Sequence, residues 1–321
     1  MTHRSPLRRA ALAVLAAALA AAAPPARAAG PYSVIYAFGD SLSDVGNDWT
    51  ATLHLEPRSP PYYRGRFSNG PVWLQDLSAT LGLPAPLAFL LGGSDFADGG
   101  AESGATIAHA LSPIDLPAQL AEFTGKVTTP RKNALFTLWI GANDLFDMLG
   151  DPNLTQAQLD TGVTQVVGNV STFVSAIALL GARNLLLITI PDLGTVPTIS
   201  SQGPAASAAG TALAAQLNAQ LVPAIRSLAA LSGIALTVVD SFSALDAIIA
   251  DPQAYGFTDA TDPCWTGTYL GTGGTLCAKT RAAQDGHLFW DSVHPTAAGH
   301  AIIASTVAAA LPKAAGLFAG E

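Results

Sequence analysis

Residues 34–47 read VIYAFGDSLSDVGN. The apolar run Val34–Phe38 stops abruptly in Gly39-Asp40-Ser41. Because the run is continuous rather than alternating, it reads as a strand buried on both faces. Two readings of the stop are open. Ser41 caps a following helix, a common job for serine, or the chain presents a serine hydroxyl at a strand end.

Working outward, the same kind of run recurs at Leu135–Ile140, Leu185–Ile190 and Ile234–Val239, each ending near Gly, Pro or Asp. Between these runs, apolar spacing predicts helices over 71–81, 159–180, 213–231 and 296–311, the third closed by Gly233 as a C-cap. Strand–helix alternation implies a parallel sheet sandwiched between helices. In such sheets ligands bind beyond the carboxyl ends of the strands. The segments that follow the strands are therefore the ones to inspect.

The N-terminus stands apart. Arg4, Arg8 and Arg9 precede an Ala/Leu/Val run over 10–23, and Ala26-Arg27-Ala28 follows. That order is expected of a secretory signal peptide over 1–28, cleaved after Ala28. The rest, 29–321, is expected to be a single domain, with half of the 321 residues hydrophobic and able to fill a sizeable core. No later segment is expected to span a membrane. The formal net charge is −8, and losing 1–28 would remove four arginines and no acid. Such a chain is a poor partner for nucleic acid or anionic membranes. In an exported chain the only cysteines, Cys264 and Cys277, are expected to pair as a disulfide.

Four stretches carry polar groups that could converge. Ser41 is a poor nucleophile until a base takes its proton. "DFADGGAESGAT", 95–106, offers glycine N–H groups to an oxyanion, or is simply a flexible loop. Asn143, in "LWIGANDL", can aim an amide at negative charge, or make a turn. In "LFWDSVHPTAAGH", Asp291 can orient His294 and leave Nε2 free as a base, or merely close a turn. His54, His109, His287 and His300 read as structural or exposed. Trp49, Tyr62 and Tyr63 rim an acyl pocket or pack the surface.

Taken together, "FGDSLSDVGN", "RFSNGPVW", "FADGGA", "GAND" and "DSVHPT", in that order, resemble the GDSL lipase/esterase family, the SGNH hydrolases. The resemblance runs over nearly all of 29–321. It implies a three-layer α/β/α sandwich with a mainly parallel five-stranded sheet. By position it implies Ser41 as nucleophile, His294 as base and Asp291 as the group orienting His294. It also implies an oxyanion hole of the Ser41 N–H, the Gly100 N–H and the Asn143 side chain. The related branch often carries Asn where this chain has Asp95. The implied activity is hydrolysis of carboxylic esters, small or lipid, through an acyl-enzyme. Phospholipase or lipid acyltransferase chemistry at the same site is the alternative. The non-enzymatic rival is a secreted binding protein on an inactive scaffold. No metal-, nucleotide- or dinucleotide-binding motif occurs, so no cofactor is expected. A secreted, periplasmic or extracellular monomer is expected. The chain ends soon after its last helix, so no autotransporter barrel is expected.

Overall fold

In the computed structural model, which describes residues 31–312, the four apolar runs pair in parallel. They form β1 (Val34–Gly39), β2 (Ala134–Trp139), β3 (Asn184–Ile188) and β4 (Ala235–Val239), in the order β1-β2-β3-β4. The expected leader, 1–28, lies outside the described residues. Registers such as Phe38↔Leu138 and Leu187↔Val238 keep the strands aligned. Alternate side chains therefore point to opposite faces.

One face carries Tyr36, Phe38, Phe136, Leu138, Leu185 and Leu187. The other carries Ile35, Ala37, Leu135, Trp139, Leu186 and Ile188. The helices, in chain order, are α1 (Asn47–Ala51), α2 (Trp73–Leu81), α3 (Leu116–Lys126), α4 (Ala142–Gly150), α5 (Gln156–Leu179), α6 (Pro197–Ser200), α7 (Pro204–Ser232), α8 (Ser241–Ala250), α9 (Arg281–Gln284) and α10 (Ala297–Ala310). Residues of α3, α4, α5 and α7 cover the first face, and residues of α2 and α10 cover the second. This is the expected α/β/α layering.

Three expectations need correction. The sheet has four strands among the described residues, not five. Beside β1 the chain returns only as an isolated bridge: the Ala37 N–H donates to Ser94 O at 3.1 Å, and the Phe96 N–H to Ala37 O at 2.8 Å. The Asp98 N–H then donates to Gly39 O at 3.2 Å, and the Gln119 amide joins it on Gly39. Its Oε1 takes the Gly39 N–H at 3.0 Å, and its Nε2 donates to Gly39 O at 2.7 Å. Second, β4 is an edge strand, so Ala235 is exposed and only Val239 is fully buried. Third, α5 has the length and hydropathy to cross a bilayer. Its one charged residue is Asp160, and small Ala, Gly, Ser and Thr residues fill its outer face. Its apolar stripe, including Val163, Val166, Val170, Phe173 and Ile177, is spent on the core.

Candidate active site

The turn that carries Ser41 begins where β1 meets β2. Gly39 has φ +149°, and a Cβ there would lie 2.2 Å from Trp139 O, so only glycine fits. Asp40 then folds the chain back: its Oδ1 accepts the Leu42 N–H at 3.0 Å, and its carbonyl accepts those of Ser43 and Asp44. Burial pushes the Asp40 carboxyl up to about 7, against the pull of the Leu42 N–H and of nearby His294. Ser41 does not cap a helix. The Asp44 carboxylate takes the N–H groups of Gly46, Asn47 and Asp48, and α1 starts only at Asn47.

The structure brings Ser41, Asp291 and His294 together. His294 Nε2 lies 2.7 Å from Ser41 Oγ, and Nδ1 lies 2.9 Å from both carboxylate oxygens of Asp291. Asp291 Oδ1 also accepts the Val293 and His294 N–H groups at 2.8 Å each, so one carboxylate shapes the turn and holds the ring. The Tyr62 hydroxyl donates to Asp291 Oδ2 at 2.8 Å. Burial opposes ionisation of Asp291, but His294 and the two backbone donors outweigh it and hold the carboxyl below its ordinary range. Phe67 and Tyr269 pack their rings 5.1 and 5.7 Å from the imidazole.

The residues expected to supply oxyanion donors, Ser41, Gly100 and Asn143, line the same cleft. The Gly99 N–H is taken by Asp44 Oδ2 at 3.3 Å. Among the described residues the N–H groups of Ser41 and Gly100 meet no acceptor. Gly100 sits at φ +76°, a left-handed position suited to glycine. Asn143 is in the first turn of α4 rather than in a loop, and its Nδ2 donates to Ala101 O at 2.9 Å. That bond fixes the amide and leaves its second N–H for the cleft. Ser41, Gly100, Asn143 and His294 line one cleft of about 630 Å³, walled by Phe67, Phe146, Leu149, Ile199, Tyr269 and Val293. Asp95 is wholly buried and braces the loops around this cleft, accepting from Val45 N at 2.7 Å and Ala97 N at 3.2 Å.

Cys264 and Cys277 form a disulfide. The loop that it closes carries Tyr269 into the cleft wall. Of the other histidines, His54 stacks on Trp49, His287 faces Asp262 O, and His300 is buried in α10 with no partner for either ring nitrogen. His109 differs, lying between the carboxylates of Glu102 and Asp115. Tyr62 is fully buried, so of its two readings neither the surface nor the pocket rim is right. Gln119 and the Tyr62 hydroxyl bond were invisible to sequence reading, because their partners are 80 and 229 residues away. The one signal for Tyr62 was an aromatic pair in a proline-rich insertion.

Comparison with known proteins agrees with this geometry. A family model described as GDSL-like lipase/acylhydrolase matches residues 35–307. The chain is 29% identical to a phosphatidylcholine-sterol acyltransferase of Aeromonas hydrophila, covering 86% of this chain and 89% of that one. It is 29% identical to an acetylesterase of Thermothelomyces thermophilus, over 78% of this chain and 85% of the other. It is 26% identical to a thermolabile hemolysin of Vibrio parahaemolyticus, spanning 84% of this chain but only 62% of that protein.

Proposed function

Because the chain belongs to the GDSL-like lipase/acylhydrolase family, a family of ester-hydrolysing enzymes, we propose that it cleaves carboxylic esters by a serine acyl-enzyme route at Ser41. The observation that carries this reading is the chain of contacts from Asp291 through His294 to Ser41 Oγ, at 2.9 and 2.7 Å. Asp291 accepts the Nδ1 proton and so leaves Nε2 as the base. Ser41 Oγ attacks the ester carbonyl carbon while its proton passes to Nε2. The carbonyl oxygen becomes an oxyanion held by the Ser41 and Gly100 N–H groups and the Asn143 amide. The C–O bond to the alcohol then breaks, and His294 gives its proton to the departing alkoxide. Water, activated by the same Nε2, attacks the acyl-serine. Collapse of the second tetrahedral intermediate releases the carboxylic acid and restores Ser41.

The cleft's aromatic and aliphatic walls suit an acyl chain rather than a charged group. Release to a second alcohol instead of water is the alternative outcome, and the acyltransferase relative favours including it. The Cys264–Cys277 disulfide supports export, with 1–28 as the leader and 29–321 as one monomeric hydrolase domain in the periplasm or outside the cell. A fluorophosphonate probe, followed by peptide mapping, should mark Ser41 in the wild type. Ser41→Ala should neither label nor hydrolyse a p-nitrophenyl ester panel, with its melting temperature unchanged. A folded Ser41→Ala chain that keeps most of its activity ends this reading.

A further inference from the structure

The loop between Gly100 and α3 carries a group of ligating side chains that the ester chemistry does not use. His109 is the centre of it. Its Nε2 lies 3.0 Å from Asp115 Oδ2. Asp115 is wholly buried, and its two oxygens also accept the Glu102 N–H at 3.1 Å and the Ser112 N–H at 2.7 Å. An ionised carboxylate only accepts, so the Nε2 proton points at Asp115, and in the neutral ring Nδ1 is left with a free lone pair. That nitrogen faces Glu102 Oε1 at 2.8 Å and Asp147 Oδ2 at 3.8 Å.

A second, independent feature lies in the same place. Glu102 is 3% exposed, and among the described residues its other carboxylate oxygen, Oε2, meets no donor. A protonated His109 would satisfy Oε1 and still leave Oε2 without a donor. It would also leave the Asp147 carboxylate close by. A buried, half-satisfied carboxylate beside a second carboxylate and an imidazole lone pair is what a metal ion resolves.

We propose that Glu102, His109 and Asp147 form a binding site for a divalent transition-metal ion of the Zn²⁺ or Mn²⁺ type, with Asp115 orienting His109 from behind. Suitable ligand atoms of the three residues all lie within 4.8 Å of one another. Bonds of about 2.1 Å require neighbouring donors roughly 3.0–3.4 Å apart, so Asp147, whose Oδ2 is 3.8 Å from Nδ1, must move closer to complete the set. Asp147 can do so, since its side chain is 51% exposed. The same exposure gives the ion its entry path. An imidazole with two carboxylates suits zinc or manganese better than calcium, whose ligands are all oxygen. A carboxylate behind the ligating histidine is the usual outer support of such sites.

The location gives the ion a positioning role. Glu102 is two residues beyond Gly100, and Asp147 is one turn beyond Asn143 on α4. An ion bound to both would tie the loop of one oxyanion donor to the helix of the other. None of its three ligands lines the substrate cleft, so it would not touch the ester. This positioning role rests on the hydrolase reading above; the site itself does not.

The test uses untagged full-length protein, stripped with a chelator and then titrated calorimetrically with Zn²⁺ alone and with Mn²⁺ alone. Wild type should bind one equivalent of at least one ion and melt at a higher temperature when loaded. Asp147→Asn, an exposed change that leaves the core untouched, should weaken binding at least about tenfold and abolish the melting shift, and Glu102→Gln should do the same. Loading should raise kcat for ester hydrolysis and leave KM unmoved. Failure of wild type to bind either ion overturns the site. So does equal binding by wild type and Asp147→Asn. Binding with an unchanged kcat, in an enzyme that hydrolyses esters, overturns the positioning role alone.

Discussion

Asn143 spends one amide N–H on Ala101 O, which locks the plane of its side chain and aims the other N–H without further cost in ordering. Losing one such preorganised donor typically lowers kcat by about 10²–10³. Asn143→Ala should fall in that range with little change in KM, because the donor acts on the transition state. Steady-state kinetics on a short-chain ester decide it, and an effect confined to KM would make Asn143 a substrate-binding residue instead. His294 and Asp291 divide their labour differently. His294→Ala removes the hydrogen-bond partner of the Ser41 hydroxyl and should be nearly inactive. In the proposed mechanism Asp291 does not meet the substrate, so Asp291→Ala should retain measurable activity, clearly above that of His294→Ala. Equal, complete loss in two folded variants would contradict this division. Tyr62 acts one step further out, through its bond to Asp291 Oδ2. Tyr62→Phe should cost about tenfold in kcat, roughly 1.4 kcal/mol, with KM unchanged. A change in KM alone would turn Tyr62 into a pocket residue.

The disulfide loop, 264–277, has almost no regular structure of its own, yet it carries a wall of the cleft. Tyr269 packs against His294 and Phe67, and its carbonyl accepts the Arg58 N–H at 2.7 Å. The Trp265 N–H donates to Trp290 O, next to Asp291. Closing a loop of this length stabilises a fold by about 3 kcal/mol in the chain-entropy model. Reduction, or the Cys264→Ala/Cys277→Ala double variant, should therefore lower both the melting temperature and kcat. Stability lost with full activity retained at low temperature would detach the loop from the site. The pairing of these cysteines was legible because they are the only two and lie close in sequence. The strands were equally legible, since runs such as Leu185–Ile190 have no polar face to spare. What escaped reading were elements fixed from a distance. Beside β1, Gln119 on α3 takes the Gly39 N–H that a fifth strand would have bonded. Asn143 lies in the first turn of α4 rather than closing a turn, because Gly141 at φ +116° makes the corner two residues earlier. The exposed side of β4 follows from its place at the sheet edge, which no local pattern records. Ser41, Asp291 and His294 could be named from short motifs, but Tyr62 could not, because its bond to Asp291 exists only once the chain has folded.

Across the whole molecule, acidic groups buried around the Ser41 turn link stability to pH in an unusual direction. Burial raises Asp40 to about 7. Burial, reinforced by the charges of Asp44 and Asp48, raises Asp98 to about 8. Burial, then Asp44 and Glu56, raises Asp48 to about 7. Asp44 and Asp95 are pushed up as well, first by burial. Each of these groups holds its proton more tightly folded than unfolded, where an aspartate titrates near about 3.9. Their contribution is therefore complete below that value and is lost as pH rises through about 7 to 8. Asp291 works the other way: its lowered pKa stabilises the fold above the unfolded value and gives way only in stronger acid. The formal charge of −8 adds self-repulsion on the alkaline side. Stability should thus be greatest on the acid side, near about pH 5, and fall steadily to pH 9. In the proposed mechanism activity runs against it, since a general base acts in its unprotonated form. Calorimetric melting temperatures and kcat/KM, measured over the same buffers, should cross: one falling, the other rising. Asp40→Asn keeps the side-chain oxygen that accepts the Leu42 N–H but has no proton to lose. In that variant the fall in melting temperature between pH 6 and 8 should be shallower than in wild type. A wild-type melting temperature that stays flat or climbs over that interval would mean that these carboxyls are ionised within the fold, and that another source of positive charge compensates them.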